Sequence, residues 1–334
     1  MFGSRLKDME AIALAESLEE DKCIRALDLS YNHLGDHAAA AVARLLSVNT
    51  TLEFVNLSYN DMTSAGCLKI ASVLQGNKTL RSLMLAGNGV GDEGGMALAD
   101  VLDVNDSLQD IDLSNSELKM SAIIKLITAL RTNTTVQHLA LSNPRLFSRD
   151  EEQITHLSKM LCVNESLVSL DISKFGIRDA AMYTLADALR ANHSLRSLSL
   201  RCNTITMPGA RWIAEWIATS STIVDLNLGH NRMDDDGAML LAEALRENQS
   251  LRILDLSNNS IHERGLVALA DSLLDNNSLE KLMLWGNYFE TDGAAAFHQL
   301  AQMPESEGRV FDFTTYEVDG VAMVAAAADE VPSK

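Results

Sequence analysis

The feature that most constrains this chain is one pattern of apolar residues that recurs at an almost constant spacing. The stretch from Leu251 to Ile261, L-R-I-L-D-L-S-N-N-S-I, shows the pattern in full. Ten copies begin at Ile24, Leu52, Leu80, Leu108, Val136, Leu167, Leu195, Ile223, Leu251 and Leu279. The step is 28 residues, except for 31 residues between Val136 and Leu167. Such regularity predicts a stack of equal units and not one globular core.

Each copy predicts a strand followed by a helix, and its places are numbered here from the first apolar residue. The fourth and sixth places are apolar and lie two residues apart, so they occupy one face of a strand. Leu269, Ala270 and Leu273 show the three-to-four spacing of a helix with one buried stripe. An asparagine at the ninth place, whose side chain can satisfy backbone groups in the turn, forms a predicted ladder of Asn32, Asn60, Asn88, Asn203, Asn231, Asn259 and Asn287.

This unit resembles the ribonuclease-inhibitor-like class of leucine-rich repeats, and the resemblance covers about 280 of the 334 residues. It implies an α/β leucine-rich repeat solenoid, a horseshoe with a concave parallel β-sheet and convex α-helices. Proteins of this class include ribonuclease inhibitor, the activator of the Ran GTPase and many scaffold proteins. The resemblance is therefore informative about the fold and says little about function.

We expect three regions along the chain. Residues 1–23 fit the helical half of a repeat and predict an N-terminal cap. Residues 24–303 hold the ten repeats as one solenoid domain, and residues 304–334, which contain an alternating segment around Phe311 and Phe313, predict a C-terminal cap and tail. The three extra residues lie within 143–152 and predict a short loop with candidate contact residues Arg145, Phe147 and Arg149, although tolerated drift between repeats explains the insertion as well.

The charge and cysteine content narrow the class of protein. A net charge of -19 and a pI near 4.7 argue against nucleic acid or an anionic membrane as the main partner, and favour a basic or mixed-charge protein. The four cysteines have no paired spacing, which predicts reduced thiols in a cytoplasmic protein. No signal peptide or membrane span is predicted, because nowhere do 18 apolar residues run together.

Eight N-x-S/T tripeptides share one phase, because each lies three residues before the first place of a repeat. They begin at Asn49, Asn77, Asn105, Asn133, Asn164, Asn192, Asn248 and Asn276. In a secreted protein they would be glycosylation sites. The fixed phase instead favours a structural role, in which asparagine adopts the left-handed conformation that ends a helix and the Ser or Thr hydroxyl bonds in the turn.

The sequence contains none of the common catalytic or phosphate-binding motifs. There is no G-x-x-x-x-G-K-S/T, H-E-x-x-H or G-x-S-x-G segment. His138 and His230 belong to repeats too far apart to share a metal ion. We therefore predict no catalytic residues, no metal site and no cofactor.

The inner face of the strands is the candidate binding surface. Side chains at the third, fifth, seventh and eighth places point away from the core, where aromatic and methionine residues have no core to fill. The candidate residues, with apolar ends and an acidic middle, are Tyr31, Phe54, Tyr59, Met84, Asp110, Asp112, Asp171, Asp225, His230, Asp255, Met283 and Trp285. An alternative is that the small polar and acidic residues merely face solvent.

The predicted function is a non-enzymatic intracellular scaffold that displays this face rigidly to a protein partner. Two alternatives stay open. The first is a GTPase activator of the Ran-activator type, in which the GTPase supplies the chemistry. The second is a structural component of a ciliary or cytoskeletal assembly.

Overall fold

The computed structural model describes residues 5–146 and 151–327. The helices are α1 (Asp8–Ser17), α2 (Asp36–Val48), α3 (Ser64–Leu74), α4 (Gly91–Leu102), α5 (Met120–Ala129), α6 (Glu152–Leu161), α7 (Asp179–Ala191), α8 (Met207–Thr219), α9 (Asp234–Glu247), α10 (Glu263–Asp275) and α11 (Thr291–Leu300), with a 3-10 helix at Pro304–Ser306. The strands are β1 (Ala26–Asp28), β2 (Phe54–Asn56), β3 (Ser82–Met84), β4 (Asp110–Asp112), β5 (His138–Ala140), β6 (Ser169–Asp171), β7 (Ser197–Ser199), β8 (Asp225–Asn227), β9 (Ile253–Asp255), β10 (Lys281–Met283), β11 (Val310–Phe311), β12 (Phe313–Val318) and β13 (Val321–Ala326). The chain divides into two compact units, Met1–Ile172 and Ser173–Lys334.

In the first unit, β1 to β6 pair in parallel in the order of the chain. Ala26 pairs with Phe54, which is the 28-residue step of the sequence. His138 pairs with Ser169, so the longer step between β5 and β6 leaves the strand register intact. The inserted residues lie in the connection from β5 to α6. The predicted alternation of strand and helix at this period is confirmed.

In the second unit, β7 to β11 also pair in parallel in chain order. Strands β12 and β13 form a separate antiparallel hairpin. Ring contacts join this C-terminal part to α11, because Phe297 lies 5.7 Å from Phe311 and 5.3 Å from Phe313, measured between ring centroids. These strands fall where the sequence predicted extended segments.

The core of each unit lies between its strands and its helices. Leu80, Leu83 and Leu85 occupy the first, fourth and sixth places of one repeat, and each is 0% exposed. Leu98 and Leu102 of α4 close the same layer from the helix side. Burying a leucine side chain contributes about 1.5–3 kcal/mol, so the periodic leucines supply the main force that holds the repeats together.

The asparagines of these eight phased tripeptides are buried, and their side chains join neighbouring repeats. The Asn49 amide donates to the carbonyl oxygens of Leu18 (2.9 Å) and Asp21 (3.0 Å), and its carbonyl accepts from the N–H groups of Thr51 and Leu52. All eight asparagines are at most 8% exposed. The expected left-handed backbone is wrong, because Asn49 has φ -75° and ψ 136°. The side chain bonds the turn, and its burial is incompatible with glycosylation of the folded chain.

A second bond between repeats forms where helices begin. The carboxylate of Asp179, at the start of α7, accepts hydrogen bonds from the N–H of Thr206 (2.8 Å), the hydroxyl of Thr206 (2.6 Å) and the N–H of Gly209 (3.1 Å). A Cβ atom at Gly209 would lie 2.5 Å from that carboxylate, so glycine is needed for the close approach. The same arrangement joins Asp36 to Gly66. Partial burial raises the pKa of Asp36, but the hydrogen bonds from Thr63 and Gly66 outweigh this and leave the pKa below its usual value.

Each terminal repeat is closed by polar side chains. At the N-terminal end, the N–H of Gly35 donates to the Asp8 carboxylate of α1 at 2.6 Å. At the C-terminal end, the Arg309 guanidinium donates to the carbonyl oxygens of Leu273 (2.7 Å) and Leu279 (3.0 Å), and the Asp312 carboxylate accepts from the N–H of Leu284 (2.8 Å). Some of the backbone groups that a further repeat would satisfy are thereby paired.

Candidate protein-binding surface

The strand face is the name used here for the side chains at the third, fifth, seventh and eighth places of the repeats in each unit. Most strands bury their middle residue and leave the two flanking residues half-buried. The fourth place therefore packs into the core, whereas the third and fifth places face outward. Phe54, Met84, Asp110, Asp112, Asp171, Asp225 and Met283 occupy such outward places and are half-buried.

The eighth place of all ten repeats has a left-handed backbone. The φ values lie between 53° and 85° at Tyr31, Tyr59, Gly87, Asn115, Asn143, Lys174, Cys202, His230, Asn258 and Gly286. Side chains other than glycine adopt this conformation at a cost of about 1–2 kcal/mol, so the strand-to-turn geometry imposes it. Five of the ten residues are glycine or asparagine, which adopt the left-handed conformation most readily, so the sequence contained a signal for this backbone geometry.

Eighth-place side chains of neighbouring repeats contact one another. In the first unit, the Asn143 amide donates to the Asn115 carbonyl oxygen at 2.7 Å. In the second unit, the Asn258 amide lies 3.2 Å from Nε2 of His230. A common backbone conformation directs these side chains along one row in each unit, and that row runs beside the strand ends of the unit.

Tyr31 and Tyr59 form the aromatic part of this row. Their rings are stacked with centroids 4.6 Å apart and planes 10° apart, and the residues are 61% and 43% exposed. A Cβ atom at Gly87 would lie 2.5 Å from Cδ1 of Tyr59, so the Tyr59 ring lies against the glycine backbone. The two rings are held in place on three successive repeats while much of their surface remains accessible. Phe54 and Met84 lie in the neighbouring strands β2 and β3.

The acidic residues of the first unit contact polar neighbours. The Ser82 hydroxyl donates to the Asp110 carboxylate, and Nε2 of His138 lies 3.8 Å from the same carboxylate. Asp112 uses one oxygen to accept from the N–H of Ser114 at 2.9 Å. Asp171 ends β6 and is half-buried.

The fifth-place carboxylates and amides have a structural role that the sequence reading missed. Asp28 accepts from the N–H of Ser30 at 2.9 Å, and Asn56 accepts from the N–H of Ser58 at 3.0 Å. This bond to the residue two places on is the Asx turn that Asp and Asn favour. The backbone bond from Ser30 is the largest cause that holds the pKa of Asp28 below its usual value. The recurrence of Asp and Asn at this place was the available signal.

Asp255 differs from the other candidate residues because it is buried, with only 4% of its surface exposed. Nη1 of Arg201 lies 3.2 Å from its carboxylate, across two repeats. The intervening seventh place is Gly229, where a Cβ atom would lie 2.7 Å from Nη1 of Arg201. The Arg201 side chain therefore passes over a glycine to reach the buried Asp255 carboxylate.

Two titratable residues near this ion pair have shifted pKa values. Partial burial, helped by the charge of Asp255, raises the pKa of Asp225, while Ser197 and Lys281 oppose the shift. Partial burial also lowers the pKa of His230, and the positive charges of Arg201 and Lys174 act in the same direction, opposed by Asp255. Both residues therefore favour their neutral forms more than exposed groups do.

At the other end of the second unit, Trp285 is the large residue of the strand face. It is 43% exposed and occupies a seventh place, where most repeats carry serine. Its backbone N–H donates to Asp312 at 2.9 Å. Trp285 lines a groove of about 450 Å³ together with residues 321–324 of β13. Met283 precedes it at the end of β10.

The ninth-place asparagines lie behind the strand face. Each of the seven donates to the sixth-place carbonyl of its own repeat, as Asn60 does to Leu57 at 2.9 Å. Each except Asn259 also accepts a backbone N–H from the preceding repeat, as Asn60 does from Leu34 at 3.0 Å. Within the described residues, Oδ1 of Asn259 is buried without a hydrogen-bond partner. Where asparagine is replaced by Ser116, the hydroxyl donates to the Leu113 carbonyl instead.

The predicted contact loop is only partly described. Arg145 is exposed, and its Nη2 lies 2.6 Å from the Glu117 carboxylate. Phe147 and Arg149 lie outside the described residues. The role of this loop in binding stays a prediction.

Several other features bear on function. All four cysteines are free thiols, and burial raises the pKa of Cys67 to about 12. Across residues 5–146 and 151–327, no group of three or more histidine, cysteine or acidic side chains is arranged to hold a metal ion. No helix in that part of the chain is long and apolar enough to cross a membrane.

Comparisons with known proteins agree with this architecture. The leucine-rich repeat family model matches residues 21–43, 48–71, 76–99, 191–214, 219–242 and 247–270. The C-terminal domain of tropomodulin from Caenorhabditis elegans matches 46% of this chain and 92% of its own, at 18% identity and a TM-score of 0.39, which is too low to support an inference. A search of curated protein sequences finds no match. The family matches do not identify a class of repeat, so the ribonuclease-inhibitor-like class remains an expectation.

Each of the six family matches begins and ends at nearly the same points of the strand-and-helix unit. Each match covers a strand and most of the helix that follows it, as residues 48–71 cover β2 and most of α3. The chain therefore contains leucine-rich repeats over these six stretches.

Proposed function

We propose that this protein is a non-enzymatic scaffold that binds a protein partner through the strand face of its first unit. Leucine-rich repeats in general mediate binding between proteins and are typically not catalytic. The observation that supports this surface is the exposed stack of Tyr31 on Tyr59, fixed in the left-handed conformation and placed against Gly87.

The Tyr31–Tyr59 stack has the properties of an interaction anchor. Tyrosine is enriched among the residues that contribute most to the free energy of binding. A ring that is already fixed in position contributes more, because less entropy is lost when the partner binds. The two rings are held by stacking on each other and by the contact of Tyr59 with Gly87, so little further ordering is needed when a partner binds. Phe54 and Met84 enlarge the apolar area beside the rings.

The proposed partner has a basic or mixed-charge surface. The chain carries a net charge of -19, and Asp110 and Asp112 lie on the same face as the tyrosines. The lowered pKa of Asp28 keeps that carboxylate ionised at neutral pH. A basic partner would be attracted by these charges, whereas nucleic acid or an anionic membrane would be repelled.

The proposed compartment is the cytoplasm, which suits four free thiols. We propose no cofactor. The GTPase-activator and ciliary alternatives gain no support from the comparisons.

The test compares variants of the two exposed tyrosine sites. Partners captured by the wild-type chain from cell lysate would be identified and purified, and their binding measured by calorimetry. Replacing Tyr31 and Tyr59 by Ala should weaken binding by about 2 kcal/mol or more. Tyr183→Ala is the matched control, because Tyr183 is 55% exposed on helix α7 with its ring 4.9 Å from Trp212.

Two results would count against the proposal. One is a partner that binds the double variant as tightly as the wild type. The other is a partner that is lost with Tyr183→Ala, since binding would then use the helix layer of the second unit.

A further inference from the structure

The outer edge of strand β1 is the edge that faces away from β2. In each later strand of the first unit, the equivalent edge is paired with the preceding strand. Strand β2 bonds to its predecessor through the N–H groups of Glu53 and Phe54, which donate to Arg25 at 2.7 and 3.0 Å, and through the carbonyl of Asn56. The equivalent groups of β1 are the N–H groups of Arg25 and Ala26 and the carbonyl of Asp28. They face away from β2, and within the described residues no strand lies beside them.

Apolar side chains at this edge are also exposed, unlike their equivalents. Ile24 is 41% exposed, whereas the next first-place residue, Leu52, is 2% exposed. Leu14 of α1 is 37% exposed, whereas Val42, one repeat later, is 0% exposed. In every later repeat of the first unit, the same two positions are at most 2% exposed. The difference arises because a complete preceding repeat lies against these positions there.

The turn next to this edge is already paired, so the open surface has the width of a strand. The N–H of His33 donates to the Leu6 carbonyl at 2.9 Å, and the N–H of Leu6 donates to Oδ1 of Asn32 at 2.8 Å. Helix α1 covers the helical half through Asp8 and Gly35. What is uncovered is the backbone edge of β1 with the apolar side chains of Ile24 and Leu14.

We propose that the β1 edge binds an extended segment of a partner protein that runs parallel to β1 and carries aliphatic residues two places apart. The five strand pairings inside the first unit indicate this occupant. In each pairing, the edge equivalent to that of β1 is covered by a parallel strand whose repeat carries aliphatic residues two places apart. Backbone hydrogen bonds would supply affinity, and alternate side chains would supply specificity. This site is separate from the strand face and does not depend on its role.

A peptide copied from the most regular repeat tests the proposal. The probe is a fluorescent peptide with the sequence of residues 250–261, S-L-R-I-L-D-L-S-N-N-S-I. The control peptide exchanges the residues that correspond to Leu254 and Asp255, which breaks the alternation at equal composition. Anisotropy should show binding of the first peptide at least about tenfold tighter than the second. Amide exchange at Arg25 and Ala26 should slow when the first peptide is bound.

A pair of protein variants locates the site. Ile24→Lys should weaken binding of the peptide at least about tenfold, because it places a charge against the aliphatic side chains. Leu68→Lys, at a residue 40% exposed on helix α3, should leave binding unchanged. Equal binding of the two peptides, no binding to the wild type, or wild-type affinity in Ile24→Lys would overturn the proposal. If the wild-type chain dimerises and Ile24→Lys abolishes the dimer, the edge would instead be assigned to a second copy of this chain.

Discussion

At the residue scale, the eighth place shows how the repeat geometry overrides the preference of a side chain. Tyr31, Lys174, Cys202 and His230 all have φ between 54° and 56°, a region that favours glycine. The turn that follows each strand imposes this conformation, and the surrounding repeats stabilise it. Residues other than glycine at this place therefore lower the stability of the folded chain. Their side chains are presented in a row along neighbouring repeats.

Replacing Cys202 by Gly tests this cost. Cys202 has φ 55°, and glycine occupies the same place at Gly87 and Gly286. Cys202→Gly should raise the free energy of unfolding by about 0.5–1 kcal/mol, because relief of the left-handed strain exceeds the entropy that glycine loses on folding. Chemical denaturation measures this change. Ser199→Gly in strand β7, where no such strain exists, should lower stability, and a loss of stability in both variants would contradict the argument.

His230 should make stability depend on pH. Its pKa is lowered in the folded chain by partial burial and by Arg201 and Lys174, so the unfolded chain binds a proton more readily. The contribution of His230 to stability is thus present above its unfolded pKa of about 6.5 and is lost as the pH falls below that value. His230→Asn, the residue found at three other eighth places, should lose less stability between pH 7.5 and pH 5.5, as judged by urea unfolding. An equal loss in wild type and variant would show that other groups are responsible.

At the element scale, the helices depend on polar groups supplied by neighbouring repeats. The first N–H groups of a helix have no partner within the helix. Asp179 at the start of α7 supplies an acceptor to Gly209 in α8, and Asp36 supplies one to Gly66 in α3. These bonds fix the spacing of successive helices, and the glycine at each contact admits the carboxylate.

Asp179→Ala should lower the free energy of unfolding by about 1–3 kcal/mol, because three hydrogen bonds to one carboxylate are lost and an N–H of α8 is left unpaired. Thermal or urea unfolding would measure the change. Asp187→Ala on the same helix is the control, since the Asp187 side chain is 78% exposed. The control should stay within about 0.5 kcal/mol of wild type. Equal effects of the two substitutions would mean that the bond between repeats contributes little.

At the scale of the whole molecule, like charges repel one another throughout the chain. A net charge of -19 on 334 residues favours expansion, whereas the periodic burial of leucine opposes it. Arg201 with Asp255, and Lys78 with Asp106 at 2.6 Å, are among the local pairs that offset the excess of acid.

Screening this charge should stabilise the protein. Raising sodium chloride from 20 to 300 mM shortens the Debye length from about 20 Å to about 6 Å, which should raise the melting temperature by about 2 °C or more. Differential scanning calorimetry would measure it. A fall in melting temperature would show that attractive ion pairs outweigh the net repulsion.

Much of the fold could be predicted because burial repeats along one chain. Strands at the third to fifth places and helices in the second half of each repeat follow from the spacing of apolar residues, and β1 to β10 all lie at those places. The candidate surface was less predictable. Which outward residues are available depends on neighbours in other repeats, and those neighbours have no fixed relation in sequence.

The repeating unit, its register and the positions of its core follow from the order of the amino acids, because hydrophobic burial depends on spacing within each unit. The polar contacts between repeats, in contrast, are set by the folded arrangement. Asp255 is buried because Arg201 crosses Gly229 to reach it, and the rings of Tyr31 and Tyr59 stack because two separate repeats turn in the same way. Side-chain contacts between repeats depend on which residues happen to become neighbours, and folding alone brings them together.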